Sequence, residues 1–240
     1  MPDQEGTGRR PPDVRVAVVL LAAGSGSRVG SATNKVYLPL AGTPVFVWSV
    51  RTALQLPGLT RCLMVVADRD RSLAEVALAG EAAAGAVELV TGGPTRHASE
   101  LNALLALEAE IDRGALDVVV MHDAARPLAT RAMFSEVIEQ AHACGGALPG
   151  RRQSALIALR ADDPSPGRTV TVQTPQAFRA APLLRAYREA GATFAGTDTA
   201  SCVERYTDLV VRWVPGSADN IKITFPHDLV VAEHLARGIR

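Results

Sequence analysis

One segment near the N terminus constrains the fold more than any other, because a strand pattern runs directly into a glycine-rich loop. Val14 to Leu21 is almost wholly aliphatic, as is typical of a central parallel strand covered on both faces. The small residues from Ala22 to Gly26 then let backbone amides approach an anion closely. Arg28 and Lys35 follow and can neutralise phosphoryl charge. The segment therefore predicts a polyphosphate-binding loop, although a plain strand-to-helix turn with incidental cations gives the same pattern.

Spacing excludes two other phosphate-binding loops. The P-loop pattern G-x-x-x-x-G-K-[ST] occurs nowhere in the chain. The dinucleotide pattern G-x-G-x-x-G fails by one residue, since Gly24 and Gly26 are followed by Gly30, and no acidic residue lies between Lys35 and Arg51 to bind a ribose. A Walker-type ATPase is thus disfavoured, and hydride transfer with a nicotinamide cofactor stays open only as a second class.

The rest of the chain alternates between strand and helix patterns. This alternation predicts a three-layer α/β/α fold with a mostly parallel sheet. Strands are predicted at Val14–Leu21, Arg61–Ala67, Ala86–Val90, Asp117–Met121 and Leu209–Val214. Helices are predicted at Thr43–Leu56, Arg69–Ala84, Ala98–Ile111, Ala132–Ala143 and Ala180–Ala190, with a last one opening at Pro226.

The domain organisation follows from length and composition. With 240 residues, the chain has the size of one main domain, which we expect to span residues 14–240 after a disordered N-terminal tail at 1–13. The helical pattern breaks between Ala147 and Val172, where short β-branched pieces flank a Pro- and Gly-rich turn. This stretch predicts a small two-stranded β-arm, and because a lone hairpin is marginal in water, we expect it to pack on a second subunit.

Composition narrows the partners and the compartment. Basic and acidic residues balance at 25 each, which gives no electrostatic footprint for nucleic acid or an anionic membrane. Cys62, Cys144 and Cys202 are odd in number and widely spaced, so neither a disulfide framework nor a zinc cluster is indicated. No segment has the pattern of a signal peptide or a membrane span. We expect a cytoplasmic protein.

Three further clusters carry chemistry. The apolar run at 118–121 leads into His122 and Asp123, then Arg126, where Asp123 could hold Mg²⁺ and Arg126 a phosphate. Asp219 and Lys222 supply a second candidate metal ligand and a second phosphate contact. A glycine turn from Gly92 to Ser99 could cradle a base or ribose. With no G-x-S-x-G elbow in the chain, these parts predict phosphoryl or nucleotidyl transfer without a covalent nucleophile.

Six motifs in order identify a family. They are Ala22-Ala23-Gly24-x-Gly26-x-Arg28 with Lys35, Gly92-Gly93-x-x-Arg96-x-x-Ser99, His122-Asp123-Ala124-Ala125-Arg126-Pro127, Gln173-Thr174-Pro175-Gln176-x-Phe178, Thr197-Asp198-x-Ala200-Ser201 and Asp219-Asn220-Ile221-Lys222. Over roughly residues 14–237 the chain resembles the 2-C-methyl-D-erythritol 4-phosphate cytidylyltransferases.

The resemblance implies a Rossmann-like nucleotidyltransferase fold, a homodimer joined through the β-arm, and a reaction in which CTP and a polyol phosphate give a CDP-polyol and pyrophosphate with Mg²⁺. It implies these roles: catalysis by Arg28, Lys35 and Lys222; nucleotide binding by Ala22, Ala23, Gly24, Ser25, Gly26, Gly92, Gly93, Ser99 and Ala124; acceptor binding by Arg126 and Thr174; and metal binding by Asp123 and Asp219.

The chain departs from the family pattern on the acceptor side. Residues 151–156 lack the Asp-Thr-x-Lys stretch usual in the arm, and Pro166 stands where the family places an arginine seven residues before Gln173. Arg151, Arg152 or Arg168 could replace that arginine. Methylerythritol phosphate is the expected acceptor, with ribitol 5-phosphate or another polyol phosphate or phosphonate as an alternative. A non-catalytic CTP-binding paralogue is the remaining alternative.

Overall fold

The structure is a computed structural model that describes residues 14–24, 34–81, 85–152, 170–191 and 194–238. The predicted N-terminal tail at 1–13 lies outside this range. So do Ser25, Gly26 and Arg28 of the first loop, and residues 153–169 of the predicted β-arm.

Ten strands and eight α-helices make up the described part of the chain. The strands are β1 (Val16–Leu21), β2 (Pro39–Leu40), β3 (Thr43–Pro44), β4 (Leu59–Val66), β5 (Glu88–Thr91), β6 (Val118–Asp123), β7 (Gly145–Arg152), β8 (Val170–Val172), β9 (Gln176–Arg179) and β10 (Val210–Pro215). The helices are α1 (Val45–Ala53), α2 (Arg71–Ala79), α3 (Arg96–Ala106), α4 (Glu108–Asp112), α5 (Arg131–Cys144), α6 (Ala180–Ala190), α7 (Thr199–Tyr206) and α8 (Pro226–Arg237).

The central sheet has the strand order β10-β7-β9-β6-β1-β4-β5. Strand β1 pairs in parallel with β4 and β6, β4 pairs in parallel with β5, and β10 pairs in parallel with β7. Strand β9 alone in this order runs antiparallel, to both β6 and β7. The predicted mostly parallel sheet is confirmed, and it brings the carboxyl ends of β1, β4, β5 and β6 to one edge.

Helices cover both faces of this sheet. Alternate residues of β1 face opposite layers: Val16, Val18 and Leu20 pack with α1, α2 and α5, whereas Ala17 and Val19 pack with α3, α4, α6 and α7. The first five of the six β1 side chains are fully buried, which explains why the strand is a continuous aliphatic sequence. The predicted α/β/α layering is confirmed. Helix α8 belongs to a third, smaller cluster of buried residues beside β2.

The structure differs from the predicted β-arm at its start. The predicted β-arm begins at Ala147, but this residue lies in the central sheet, where it pairs with Ala177 of β9 and Arg212 of β10. The preceding residue, Gly146, also lies in β7. Here glycine is required by packing, since a Cβ at this position would lie 2.7 Å from the Phe178 ring. A separate two-stranded pairing begins only at Gly150, where the end of β7 pairs with β8.

Within the described residues, no helix is both long and apolar enough to cross a membrane. The longest, α5, has 14 residues, whereas a bilayer-spanning helix needs about 20.

Candidate active site

A cavity of about 600 Å³ opens at the carboxyl edge of the parallel strands. This edge is where open α/β sheets bind ligands, and the volume suits a nucleotide-sized molecule. Its described lining comprises Leu21, Ala22, Ala23, Gly24, Asn34, Lys35, Val36, Ala67, Asp68, Arg69, Thr91, Gly92, Gly93, Pro94, Thr95, Arg96, Ser99, Asp123, Ala125 and Lys222. The structure thus brings together residues from four of the six motifs, which lie as far apart in the sequence as Ala22 and Lys222.

Asp123, the last residue of β6, is the central charge of this pocket. Its side chain is 9% exposed, and its two carboxylate oxygens pair with different cations, Arg96 on Oδ1 and Lys222 on Oδ2, the latter at 2.6 Å. Burial alone would raise the pKa of Asp123, but the charges of Arg96 and Lys222 outweigh it and hold the pKa well below its usual value. Asp123 is therefore ionised throughout the physiological range.

Arg96 opens α3 and contacts two carboxylates at once. Its Nη1 donates to Asp123, and its Nε donates to Glu100 at 3.1 Å. Burial alone would lower the pKa of Arg96, but the two carboxylates raise it by more, so the net pKa lies above its usual value and the guanidinium stays charged. Its Nη2 is buried and makes no hydrogen bond within the described part of the chain. A buried donor left without an acceptor is costly, so Nη2 is suited to an oxygen supplied by a ligand.

The backbone around Asp123 is held by a buried hydrogen-bond chain. The Asp123 N–H donates to Thr174 Oγ1 at 3.0 Å, and the Thr174 hydroxyl lies 3.1 Å from His122 Nδ1. Burial lowers the pKa of His122 to about 4, so the ring is neutral. Its Nε2 must carry the hydrogen because it meets the Arg126 carbonyl oxygen at 3.2 Å. Nδ1 therefore accepts from Thr174, whose hydroxyl proton is committed to this chain.

Lys222 is brought to the pocket by the segment between β10 and α8. The side-chain amide of Asn220 is buried and donates to the Thr174 carbonyl oxygen at 2.9 Å. On the other side of Lys222, the Ile223 N–H donates to the Ala125 carbonyl oxygen at 2.8 Å. These two contacts anchor Lys222 beside the end of β6.

The glycine turn after β5 packs directly on the first loop. A Cβ on Gly92 would lie 2.5 Å from the Ala23 Cβ, and one on Gly93 would lie 2.5 Å from the Ala98 Cβ. Ser99 accepts a hydrogen bond from the Gly93 N–H at 3.0 Å. Close approach, not a positive φ, is what requires glycine here. The Asn34 side chain donates to the Ala22 carbonyl oxygen at 2.9 Å and so places the neighbouring Lys35.

Most of the expected site residues that the structure describes line the pocket. The exceptions are Ala124, which is fully buried, and Arg126, Thr174 and Asp219, which do not line it. Arg126 lies nearby, with Nη1 donating to the Asn220 carbonyl oxygen at 2.7 Å and a buried Nε that has no hydrogen-bond partner in the described residues. Asp219 is exposed, and the structure does not bring its carboxylate to Asp123.

The side chains of the pocket decide whether it could bind a metal ion. Among the described residues there is no group of three or more His, Cys, Asp or Glu side chains that could hold one. The described pocket lining contains two carboxylates, Asp68 and Asp123. Mg²⁺ is commonly held by one or two carboxylates together with substrate phosphates and water. Asp123 therefore fits a cation that arrives with a nucleotide, not one in an all-protein cage.

Sequence reasoning quoted Arg96 within a motif without giving it a role, and it missed Glu100 altogether. The scarcity of lysine in the composition is a further signal that points to the two lysines as site residues. The chain has only two, Lys35 and Lys222, among 25 basic residues, and both line the pocket. In a chain that uses arginine elsewhere, two lysines meeting in one cavity mark positions where a compact ammonium differs from a guanidinium.

A polyphosphate-sized pocket with these cations, at this edge of an α/β/α sheet, is the arrangement that a nucleotidyltransferase needs, and the comparisons with known proteins agree with that class. The sequence model of the family described as IspD, 2-C-methyl-D-erythritol 4-phosphate cytidylyltransferase, matches residues 16–237. The chain belongs to this family.

Individual relatives agree with the family match. The cytidylyltransferase of that name from Bacillus velezensis is 34% identical over 230 residues, which cover 92% of this chain and 95% of the relative. The one from Cereibacter sphaeroides is 38% identical over 229 residues, covering 91% and 96%. The crystal structure of the Thermus thermophilus enzyme has a TM-score of 0.69 at 28% identity and covers 91% of this chain and 98% of its own. The 4-diphosphocytidyl-2C-methyl-D-erythritol synthase from Anaerococcus prevotii has a TM-score of 0.79 at 24% identity, covering 94% and 97%, and shares the fold.

Proposed function

We propose that the protein transfers the cytidylyl group of CTP to 2-C-methyl-D-erythritol 4-phosphate, within the non-mevalonate isoprenoid pathway. The observation that carries the proposal is the cluster of Arg96, Asp123 and Lys222 in a nucleotide-sized pocket, in a chain of this family. The products are a CDP-polyol and pyrophosphate.

The reaction needs alignment and charge stabilisation. An oxygen of the acceptor phosphate attacks the α-phosphorus of CTP and forms a new P–O bond. The bond from the α-phosphorus to the bridging oxygen breaks, and pyrophosphate leaves with the bonding electron pair. Negative charge grows on the α-phosphoryl oxygens and on the leaving group, so cations held in place before the reaction lower the barrier. Lys35, Lys222 and Arg28 are the groups to which we assign this role.

The nucleotide is assigned to the wall formed by the first loop and the glycine turn. Ala22, Ala23 and Gly24 line the pocket after the end of β1. Gly92 and Gly93 line it from the turn after β5, and Ser99 lines it from the first turn of α3. Small residues at these positions let a ligand approach the backbone amides. Ser25 and Gly26 extend the first loop in the proposal.

We assign a divalent cation, Mg²⁺, to Asp123. The cation supplies electrostatic neutralisation of the phosphate oxygens. Since Arg96 and Lys222 each pair with one carboxylate oxygen of Asp123, a bound metal would share these oxygens with them or displace one of the two cations toward a phosphate. Asp219 is exposed and outside the described pocket lining, so the metal proposal depends on Asp123.

The acceptor is assigned to the side of Arg126. Its Nε, which has no hydrogen-bond partner among the residues that the structure describes, is a donor suited to a phosphate oxygen. Thr174 contributes chiefly by holding the Asp123 N–H. The exposed Val172 and Trp213 lie on β8 and β10, close to the predicted β-arm, and Arg152 stacks over the Trp213 ring at 5.4 Å. They support a homodimer formed through this region. The three free cysteines suit a reducing cytoplasm.

Product analysis tests the proposal. The purified protein is incubated with CTP, Mg²⁺ and methylerythritol phosphate, and pyrophosphate release and the CDP-polyol mass are followed. We expect both products from the wild type and from Glu108→Gln, a control whose carboxylate pairs with Arg188 at the surface. Lys222→Ala should lose turnover. No product at high enzyme concentration would refute the assignment.

An acceptor panel separates the alternatives. Turnover only with ribitol 5-phosphate or another polyol phosphate would change the acceptor and keep the reaction class. Calorimetric binding of CTP without turnover of any acceptor would identify a non-catalytic paralogue. Binding of a nicotinamide nucleotide in place of CTP would instead support an enzyme that transfers hydride with a nicotinamide cofactor.

A further inference from the structure

A buried carboxylate lies behind the pocket and is absent from its lining. Glu100 is 1% exposed and sits one turn after Arg96 on α3. Packing alone does not account for a carboxylate at this position, because an apolar side chain would fill the same buried space at a lower desolvation cost.

Three donors from three helices converge on this carboxylate. Glu100 Oε1 accepts from Arg96 Nε at 3.1 Å and from Thr199 Oγ1 at 2.9 Å. Its Oε2 accepts from the Tyr187 hydroxyl at 2.6 Å. Thr199 and Tyr187 are themselves fully buried, and Tyr187 is fixed further by a stacked contact with His97, with ring centroids 4.5 Å apart. Glu100 is therefore immobile, and Arg96 is the group it can hold.

The contacts form a row of alternating acidic and basic side chains that runs from the core to the pocket. Glu100 contacts Arg96, Arg96 contacts Asp123, and Asp123 contacts Lys222. The guanidinium of Arg96 is planar, so holding its Nε edge fixes the direction of both terminal nitrogens. Glu100 engages the Nε edge and Asp123 engages Nη1. Only Nη2 is left without a partner within the described residues.

We propose that Glu100 is a positioning residue that holds the Arg96 guanidinium in the orientation that binds a nucleotide phosphate. The proposal rests on the proposed function, since it takes CTP as the ligand. Glu100 itself touches neither the pocket nor the nucleotide, and it acts through Arg96.

The test compares Glu100→Gln with the wild type and with the surface control Glu108→Gln. Calorimetry with CTP and Mg²⁺, without acceptor, measures the dissociation constant. We expect Glu100→Gln to raise it ~10-fold, the size of one lost charge-assisted contact, while Glu108→Gln leaves it unchanged. A simple charge effect predicts the opposite, because removing a negative charge beside the pocket should tighten binding of an anion.

A double-mutant cycle distinguishes positioning from a general structural effect. If Glu100 acts only through Arg96, then Glu100→Gln should change the CTP dissociation constant less than about 2-fold in an Arg96→Gln background. Tyr187→Phe is a second variant that keeps the ring and removes one donor from Glu100. Tyr187→Phe should raise the CTP dissociation constant by roughly 3-fold. It replaces Glu100→Gln as the test if Glu100→Gln fails to fold.

The outcomes separate this proposal from the proposed function. A wild type that binds no CTP overturns both. A wild type that binds and turns over CTP, with unchanged or tighter binding in a folded Glu100→Gln, overturns the positioning role alone. Full additivity with Arg96→Gln also overturns it, as does unchanged CTP binding in Tyr187→Phe when Glu100→Gln does not fold.

Discussion

Replacement of Asp123 by asparagine should destabilise the folded protein, because it leaves Arg96 and Lys222 facing each other without the carboxylate between them. Breaking a fully buried ion pair typically costs 3–5 kcal/mol. Here the Asp123 side chain is 9% exposed, but Arg96 is 28% and Lys222 38% exposed, so water screens part of the repulsion. We expect a loss of about 2–3 kcal/mol at pH 7.

Urea denaturation of wild type and Asp123→Asn measures this loss, and the midpoint of thermal unfolding should fall by about 5–10 °C. The matched control is Asp112→Asn, which removes a carboxylate from an exposed pair with Arg188 at 2.8 Å and should leave the midpoint unchanged. Both variants keep the size of the side chain and remove one negative charge.

The pH dependence makes the prediction for Asp123 more specific. Its pKa in the folded protein lies below the unfolded value, so the stabilisation is complete above the unfolded pKa of about 3.9 and is lost as the pH falls through the folded pKa. The difference between wild type and Asp123→Asn should therefore be constant from pH 7 to pH 5 and shrink only below about pH 4. A difference under about 0.5 kcal/mol at pH 7, or one that already shrinks between pH 7 and pH 5, would refute the reasoning.

Three further predictions concern catalysis, access and acid stability. Lys35→Ala and Arg28→Ala should each lower kcat by roughly 10²-fold, and unchanged turnover in either variant would remove that residue from the mechanism. Amine-directed acetylation read by mass spectrometry should modify Lys35 and Lys222, with CTP and Mg²⁺ protecting both; equal labelling with and without nucleotide would contradict their placement in the phosphate site. Burial lowers the pKa of His122 from 6.5 to about 4, so the ring takes up a proton in the unfolded protein before it does so in the folded one. The free energy of unfolding should therefore fall by about 3 kcal/mol as the pH falls from 6.5 to 4. Denaturation of His122→Gln should show a flatter acid limb than wild type, and identical limbs would exclude this group as the cause.

The sequence predicted the parallel half of the sheet because its strands are continuous aliphatic segments. The antiparallel strand β9 was missed, since Gln176 to Arg179 is four residues long with polar residues at both ends. Its position between β6 and β7 follows from tertiary packing: the Phe178 ring fills the space left by Gly146. Such a pairing depends on two segments about 30 residues apart, and neither has a strong strand pattern of its own.

The site was predictable where a motif sits at the end of a strong strand. Asp123 ends β6 and Gly24 follows β1, and the position alone indicates the ligand-binding edge. Glu100 could not be found in this way, because a glutamate on a helix is ordinarily a solvent-exposed residue. Only the packing of α6 and α7 against α3 shows that it is buried and that Tyr187 and Thr199 donate to it.

Asp123 and Lys222, which form an ion pair in the pocket, are held in place by the same buried chain of hydrogen bonds. Thr174 holds the Asp123 N–H through its hydroxyl and holds Asn220 through its carbonyl oxygen. Asn220 in turn lies two residues before Lys222, so one threonine sets the positions of both partners of the 2.6 Å ion pair. Since Thr174 also gives its hydroxyl proton to His122, the loss of this hydroxyl would release the backbone at Asp123 and leave a buried imidazole nitrogen unpaired. We therefore expect the Gln-Thr-Pro-Gln segment to position the proposed nucleotide side of the site through Asp123 and Lys222, in addition to the acceptor side that the family resemblance implies for Thr174.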